Sequence, residues 1–229
     1  MRLRLLLAGV LVAGLAAVAA PVGGAGTGEC NGIKQCIPVA GPWVVVPAHG
    51  SAEYLLSCPG GRSVVGGLDA QATSGAVHVG FAGRLGSPVG PGTTTTRYAL
   101  FRAVSTSAKR EAFQPRLGCI PVQGGGGRST VSARIVSPGP PLDLRARIVV
   151  VGPGATRFGR LGCPSGETLV DSWHSLAFRT KNVPALSEAQ YVQAQHLVSH
   201  EQVVVTASAS DALSIDVHAI VQAGVGCAA

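Results

Sequence analysis

The cysteine frame of this chain occurs twice. Val44-Val45-Val46, Leu56, Cys58, Pro59 and Gly61 return 105 positions later as Val149-Val150-Val151, Leu161, Cys163, Pro164 and Gly166, with no gap needed to align them. Each copy then closes on a glycine-cysteine pair, Gly118-Cys119 in the first and Gly226-Cys227 in the second. An even set of six cysteines in an exported chain predicts disulfides. Six cysteines allow 15 pairings, and spacing alone selects none. Equivalent cysteines of a duplication should do equivalent jobs, which selects Cys58–Cys119 and Cys163–Cys227 and leaves Cys30–Cys36 as a small N-terminal loop. Closing a loop of about 60 residues removes roughly 4 kcal/mol of unfolded-state entropy. That is a sizeable share of the stability of a domain of about 100 residues.

Residues 1–25 read as a signal peptide. Arg2 and Arg4 supply the basic start, Leu5 to Val18 is apolar, and Ala17 and Ala19 fit an Ala-x-Ala cleavage site. Cleavage after Ala25, with Gly23 at the minus-three position, is the second option. The apolar run is short for a membrane span, which takes about 20 residues. The expected product is therefore secreted or extracellular, with no transmembrane segment in the mature chain. Loss of Arg2 and Arg4 takes the formal charge from +7 to +5. A mild positive charge suits anionic cell-wall polymer, lipid headgroups or polysaccharide, and equally suits plain solubility.

Alternation with period two dominates the mature chain. Val203, Val205, Ala207 and Ala209 share one face, and Leu213, Ile215, Val217 and Ala219 repeat the pattern after a turn at Asp211-Ala212. This predicts a half-buried antiparallel hairpin. Leu142, Leu144, Ala146, Ile148 and Val150 alternate with Asp143, Arg145 and Arg147, which predicts a strand with the leucine-to-valine set inside. Val131, Ala133 and Ile135 form a shorter partner. Leu186 to His200 fits either a helix opened by Ser187-Glu188 or a further strand. Frequent glycine and proline between short strands favour β-sandwiches. The run Gly124 to Gly127 is the expected linker, because four glycines hold no defined conformation cheaply. The expected fold is thus all-β, with two disulfide-closed antiparallel β-sandwich modules (Ig-like or jelly-roll-like) in tandem, over residues 27–123 and 128–229.

Cys58-Pro59-Gly60-Gly61-Arg62-Ser63-Val64-Val65-Gly66-Gly67 resembles the opening of poorly characterised secreted modules common in actinobacteria. Those begin near Cys-Pro-x-Gly-x-x-x-Val-x-Gly and end on a lone cysteine at the close of the last strand. The second copy keeps the opening from Cys163 to Val170 but has Asp171-Ser172 where the glycines would be. Its close, from Ala219-Ile220 to Gly226-Cys227-Ala228-Ala229, also resembles the family's. The resemblance implies small disulfide-closed β-sandwiches and brings no catalytic residue with it.

Four groups of residues invite a chemical reading. Asp171-Ser172-Trp173-His174 holds three residue types of a hydrolytic triad, but on a strand Asp171 points away from Ser172 and His174. No Gly-x-Ser-x-Gly elbow is present. His196 and His200 share a face in either a helix or a strand, with Glu201, Asp216 or His218 as third ligands for a metal. Solvated polar residues are the plainer reading, and no metal or other cofactor is expected. Arg134, Arg145 and Arg147 are a candidate basic binding stripe. The scarcity of aromatic residues speaks against nucleic acid. Trp43 and Trp173 are read as core, each beside its copy's Val-Val-Val or Cys-Pro-x-Gly element. The expected function is that of a secreted, non-enzymatic surface or extracellular protein that binds a cell-envelope or extracellular glycan or protein. A purely structural envelope component is the alternative, and a metal-dependent or Ser/His hydrolase a more distant one.

Overall fold

The computed structural model of the 229-residue chain describes residues 28–61, 63–82, 97–121, 142–199 and 202–228. The signal segment, the Val131–Ile135 strand, the Gly124–Gly127 linker, Arg134, His200 and Glu201 lie outside the described residues. What is described is all-β. The first half contributes β1 (Ile37–Ala40), β2 (Trp43–Val46), β3 (Ser51–Ser57), β4 (Ser63–Ala72), β5 (Val77–Ala82), β6 (Tyr98–Ser105) and β7 (Glu111–Pro121). The second contributes β8 (Asp143–Val151), β9 (Thr156–Gly162), β10 (Thr168–Arg179), β11 (Val192–Ser199), β12 (Gln202–Ala209) and β13 (His218–Ala228). Leu186–Tyr191 forms a 3₁₀ turn that leads into β11, so both readings of that stretch hold in part.

The pairing pattern is duplicated. In the first half β2 and β4 pair with β7, while β3 and β5 pair with β6. In the second, β8 and β10 pair with β13, while β9 and β11 pair with β12. The interruption at Gly41-Pro42 splits the edge strand of the first half into β1 and β2, which run end to end along β7. Each half therefore has its own three-stranded sheet, β3-β6-β5 or β11-β12-β9. The remaining strands form one seven-stranded sheet, because β2 also pairs with β10 through Val44↔Ala177 and Trp43↔Phe178. The sequence reading does not anticipate this shared pairing.

Alternate residues of the shared strands enter different cores. Val44 and Val46 of β2, Ala177 of β10 and Ile220 of β13 join the first core with Tyr54, Phe101 and Phe113. Their neighbours Val45, Phe178, Ala219 and Val221 join the second with Val149, Val192 and Val205. Since adjacent strand residues point to opposite faces, the two cores lie on opposite sides of the common sheet. Disulfides tie the layers together. Cys58, just after β3, bonds Cys119 of β7, and Cys163, just after β9, bonds Cys227 of β13, both as the repeat argument expects. The third bridge is Cys30–Cys36. It anchors the Gly28–Cys30 turn, whose Glu29 carbonyl sits where a side chain at Gly67 or Gly118 would have to go.

Two strand expectations are corrected. β12 does present Val203, Val205, Ala207 and Ala209 to the core, but it makes no hairpin with the segment that follows. Residues 213–217 are turns with Ile215 exposed, and β13 begins only at His218, in the other sheet. On β8 the expected inside and outside exchange beyond Ala146. Val149 and Val151 are buried, while Ile148 and Val150 face outward. Alternation between two apolar sets such as Ile148/Val150 and Val149/Val151 carries no sign of which one faces the core.

Candidate functional site

The two halves meet along β2, β3 and β6 on one side and β8, β10 and β13 on the other. A small core of Leu55, Leu100 and Trp173, with Tyr98, Leu144 and Ala146 against it, fills the centre of that joint. Trp173 is buried, as the sequence predicts, and its indole lies on the bare backbone of Gly224. Beside it the buried amide of Gln222 acts as a strand partner for Leu55. Leu55 N–H donates to Oε1 at 2.7 Å, and Nε2 donates to the Leu55 carbonyl at 2.9 Å. Arg102 bridges the joint at its rim, 2.9 Å from Glu53 of its own half and 3.6 Å from Asp171 of the other. Partial burial pushes the Glu53 carboxyl up, against the pull of Arg102.

Two clefts open at this joint. The larger, about 430 Å³, is walled by Leu55, Tyr98, Leu144, Arg145, Ile148 and Gln222 among others. The Tyr98 hydroxyl accepts a hydrogen bond from Leu144 N–H at 3.4 Å. Burial raises the phenol's pKa, and that backbone contact partly opposes it. Arg145 stands exposed, with Nε donating to Asp143 at 2.9 Å. The cleft thus combines an apolar wall, a phenol and a guanidinium, while the Gln222 amide is taken up by Leu55, and this suits a ligand with hydroxyls and scattered negative charge.

The smaller cleft, about 230 Å³, lies between Val45 and Pro47 of the first half and His174, Leu176 and Ala189 of the second. Here His174 Nδ1 lies 2.6 Å from His196 Nδ1, so one ring donates and the other accepts. Burial, then the His196 charge, holds the His174 pKa below the ordinary histidine value. The pair arises because β10 and β11 are corresponding edges of the two layers of this half, and both residues face inward from them.

The sequence candidates distribute as follows. Arg145 lines the larger cleft, while Arg147 on the same strand is exposed and reaches the Arg160 carbonyl at 3.5 Å. The residues of 171–174 part company. Asp171 turns to Arg102, Trp173 enters the joint, and His174 goes to the opposite face to meet His196. A bulge between Leu169 and Asp171 takes Leu169 to the second core, on the face opposite Trp173. His196 has His174 as its neighbour; Asp216 sits in the turn before β13 rather than on the strand with His218. Among the described residues no three His, Cys, Asp or Glu side chains come together as a metal site would need. Sequence reasoning missed Tyr98 and Gln222. A lone amide within the apolar run Ile220-Val221-Gln222-Ala223 was the available signal for the second.

Among the described residues, no helix is long and apolar enough to cross a membrane. No protein family, curated protein or solved structure matches the chain.

Proposed function

We propose that this is a secreted, non-catalytic binding protein built of two disulfide-closed β-sandwich modules, and that it takes an extracellular or cell-envelope glycan in the Tyr98–Arg145 cleft. The observation that carries the reading is the make-up of that cleft: an aromatic hydroxyl, an arginine and an apolar wall drawn from both halves. A sugar offers hydroxyls to such polar groups and C–H faces to such a wall. Three disulfides are compatible with an oxidising, extracellular setting. Against a hydrolase stands the separation of Asp171 and His174 onto opposite faces of β10, each with another partner.

The test is a pull-down of the full oxidised chain on cell-wall polymer and immobilised glycans. Tyr98→Ala and Arg145→Ala should each weaken capture about tenfold, or 1.4 kcal/mol, with melting unchanged for the exposed Arg145. Capture that both variants leave intact would refute this cleft as the site. The alternative of a structural envelope component gains from the outer edges of β4 and β8, which have no partner among the described residues.

A further inference from the structure

The joint between the halves is a heterologous one: the outer edge of β2 meets the outer edge of β10. Because the halves are duplicates, each has a counterpart of the strand that the other half uses. The counterpart of β2 is β8, and the counterpart of β10 is β4. Among the described residues neither β8 nor β4 has a partner on its outer edge. A heterologous contact that does not close on itself continues from copy to copy.

The side chains repeat the relation. Val45 of β2 stops the mouth between β10 and β11, beside Val192 and Ala189, and is 7% exposed. Its counterpart Val150 is 54% exposed. Trp43, opposite Phe178, is 2% exposed, and its counterpart Ile148 is 44% exposed. The other end of the molecule shows the matching vacancy. The first pair of β5 with β6 is Val77↔Ser105 and that of β11 with β12 is Val192↔Ala209, so Val77 stands where Val192 does. Around it, between β4 and β5, an open groove of about 330 Å³ is lined by Ala70, Ala72, Val77, Val79 and Phe81, with Phe81 exposed. The Gly28–Cys30 turn packs over β4 at Gly67 and reaches as far as Asp69, whose Oδ2 accepts from Gly28 N–H at 2.8 Å.

We propose that copies of this chain associate head to tail, with the β8 edge of one copy pairing with the β4 edge of the next and Ile148 and Val150 entering the β4–β5 groove. The occupant of each edge that has no partner among the described residues is thus a second copy of the chain. Exposed apolar edge strands are otherwise a liability that natural sheets cover or charge. This goes beyond the glycan reading and does not depend on it, although Ile148 is common to both surfaces and self-association would compete with glycan for it.

Sedimentation velocity on the full oxidised chain, over a wide concentration range, tests the proposal. Species should grow past the dimer as concentration rises. Val150→Arg removes the plug and Phe81→Arg blocks the groove; both sites are exposed, so thermal melts should be unchanged. Each variant alone should associate about tenfold more weakly or worse. Mixed together they should form one dimer that grows no further, because each still carries the end the other lacks. A wild type that stays monomeric throughout would overturn the proposal. So would one that stops at the dimer, or a mixture that fails to pair.

Discussion

Trp173→Ala should be among the most costly single changes in this protein, and its cost should depend on Gly224. A buried tryptophan removes about 150–250 Å² from water. At about 25 cal/mol per Å² this is worth roughly 4–6 kcal/mol. The indole Nε1–H is buried without a hydrogen-bond partner among the described residues, which offsets about 1–3 kcal/mol of that gain. The expected loss is therefore about 1–5 kcal/mol, and the cavity left behind places it in the upper part of that span, near the roughly 3–5 kcal/mol usual for tryptophan truncation. Trp173→Phe should cost far less, about 1 kcal/mol, because it keeps much of the ring area and discards the orphan donor. Gly224→Ala would drive a methyl into Cε2 and Cζ2 of the same indole, an overpacking worth about 1–3 kcal/mol. In a Trp173→Ala background that methyl has room, so the two changes should be non-additive by about 1 kcal/mol or more. Guanidinium unfolding of the oxidised single and double variants measures all of this. Since Trp173 packs Leu55 and Leu100 across the joint, its loss should also split one transition into two. Two results would refute the reasoning: a Trp173→Ala loss under about 0.5 kcal/mol, or a Gly224→Ala cost that is the same with and without the indole.

The His174 pKa is held down in the folded protein, so protonation favours the unfolded chain. His174 should therefore contribute its full stability above the ordinary histidine value of 6.5, lose it as pH falls from there through the lowered folded value, and level off below; melting temperatures between pH 8 and 5 should show a slope that His174→Gln flattens. Serine pairs replacing Cys163 and Cys227, which close 64 residues, should cost about 4 kcal/mol, and pairs replacing Cys30 and Cys36, which close 6, about 2, by the same unfolding assay. Equal losses would show that loop entropy does not govern these bridges.

The covalent frame was legible because a duplicated cysteine has to find its duplicated partner, whatever the strands between them do. Strand content was legible too, since Val203 to Ala209 can bury one face only with period two. Which strands pair was not. Val203–Ala209 and Leu213–Ala219 read as a hairpin from local pattern alone, yet β12 and β13 lie in different layers, and the turn at 211–217 crosses between them. Local alternation says that a face is buried and is silent about what buries it.

The same silence explains β2 and β8. Both carry three valines at matched positions, and an ungapped repeat gives them the same predicted burial. In the structure Val45 is inside and Val150 outside, although their sequences and their pairing with β7 or β13 correspond. The difference is supplied by position in the shared sheet: β2 is internal to it, and β8 is its edge. His174 and His196 follow from the same cause. Near Val45 the inward face of β10 comes to a partly closed mouth, where the two imidazoles lie against each other. The matching positions on β4 and β5 line the open groove, through Ala70 and Phe81. A repeat built to be covered on both edges, but covered among the described residues by its twin on only one, leaves an apolar strand at one end and an apolar mouth at the other. Such a pair of ends is more economically explained as a contact still to be made than as two unrelated patches of exposed surface.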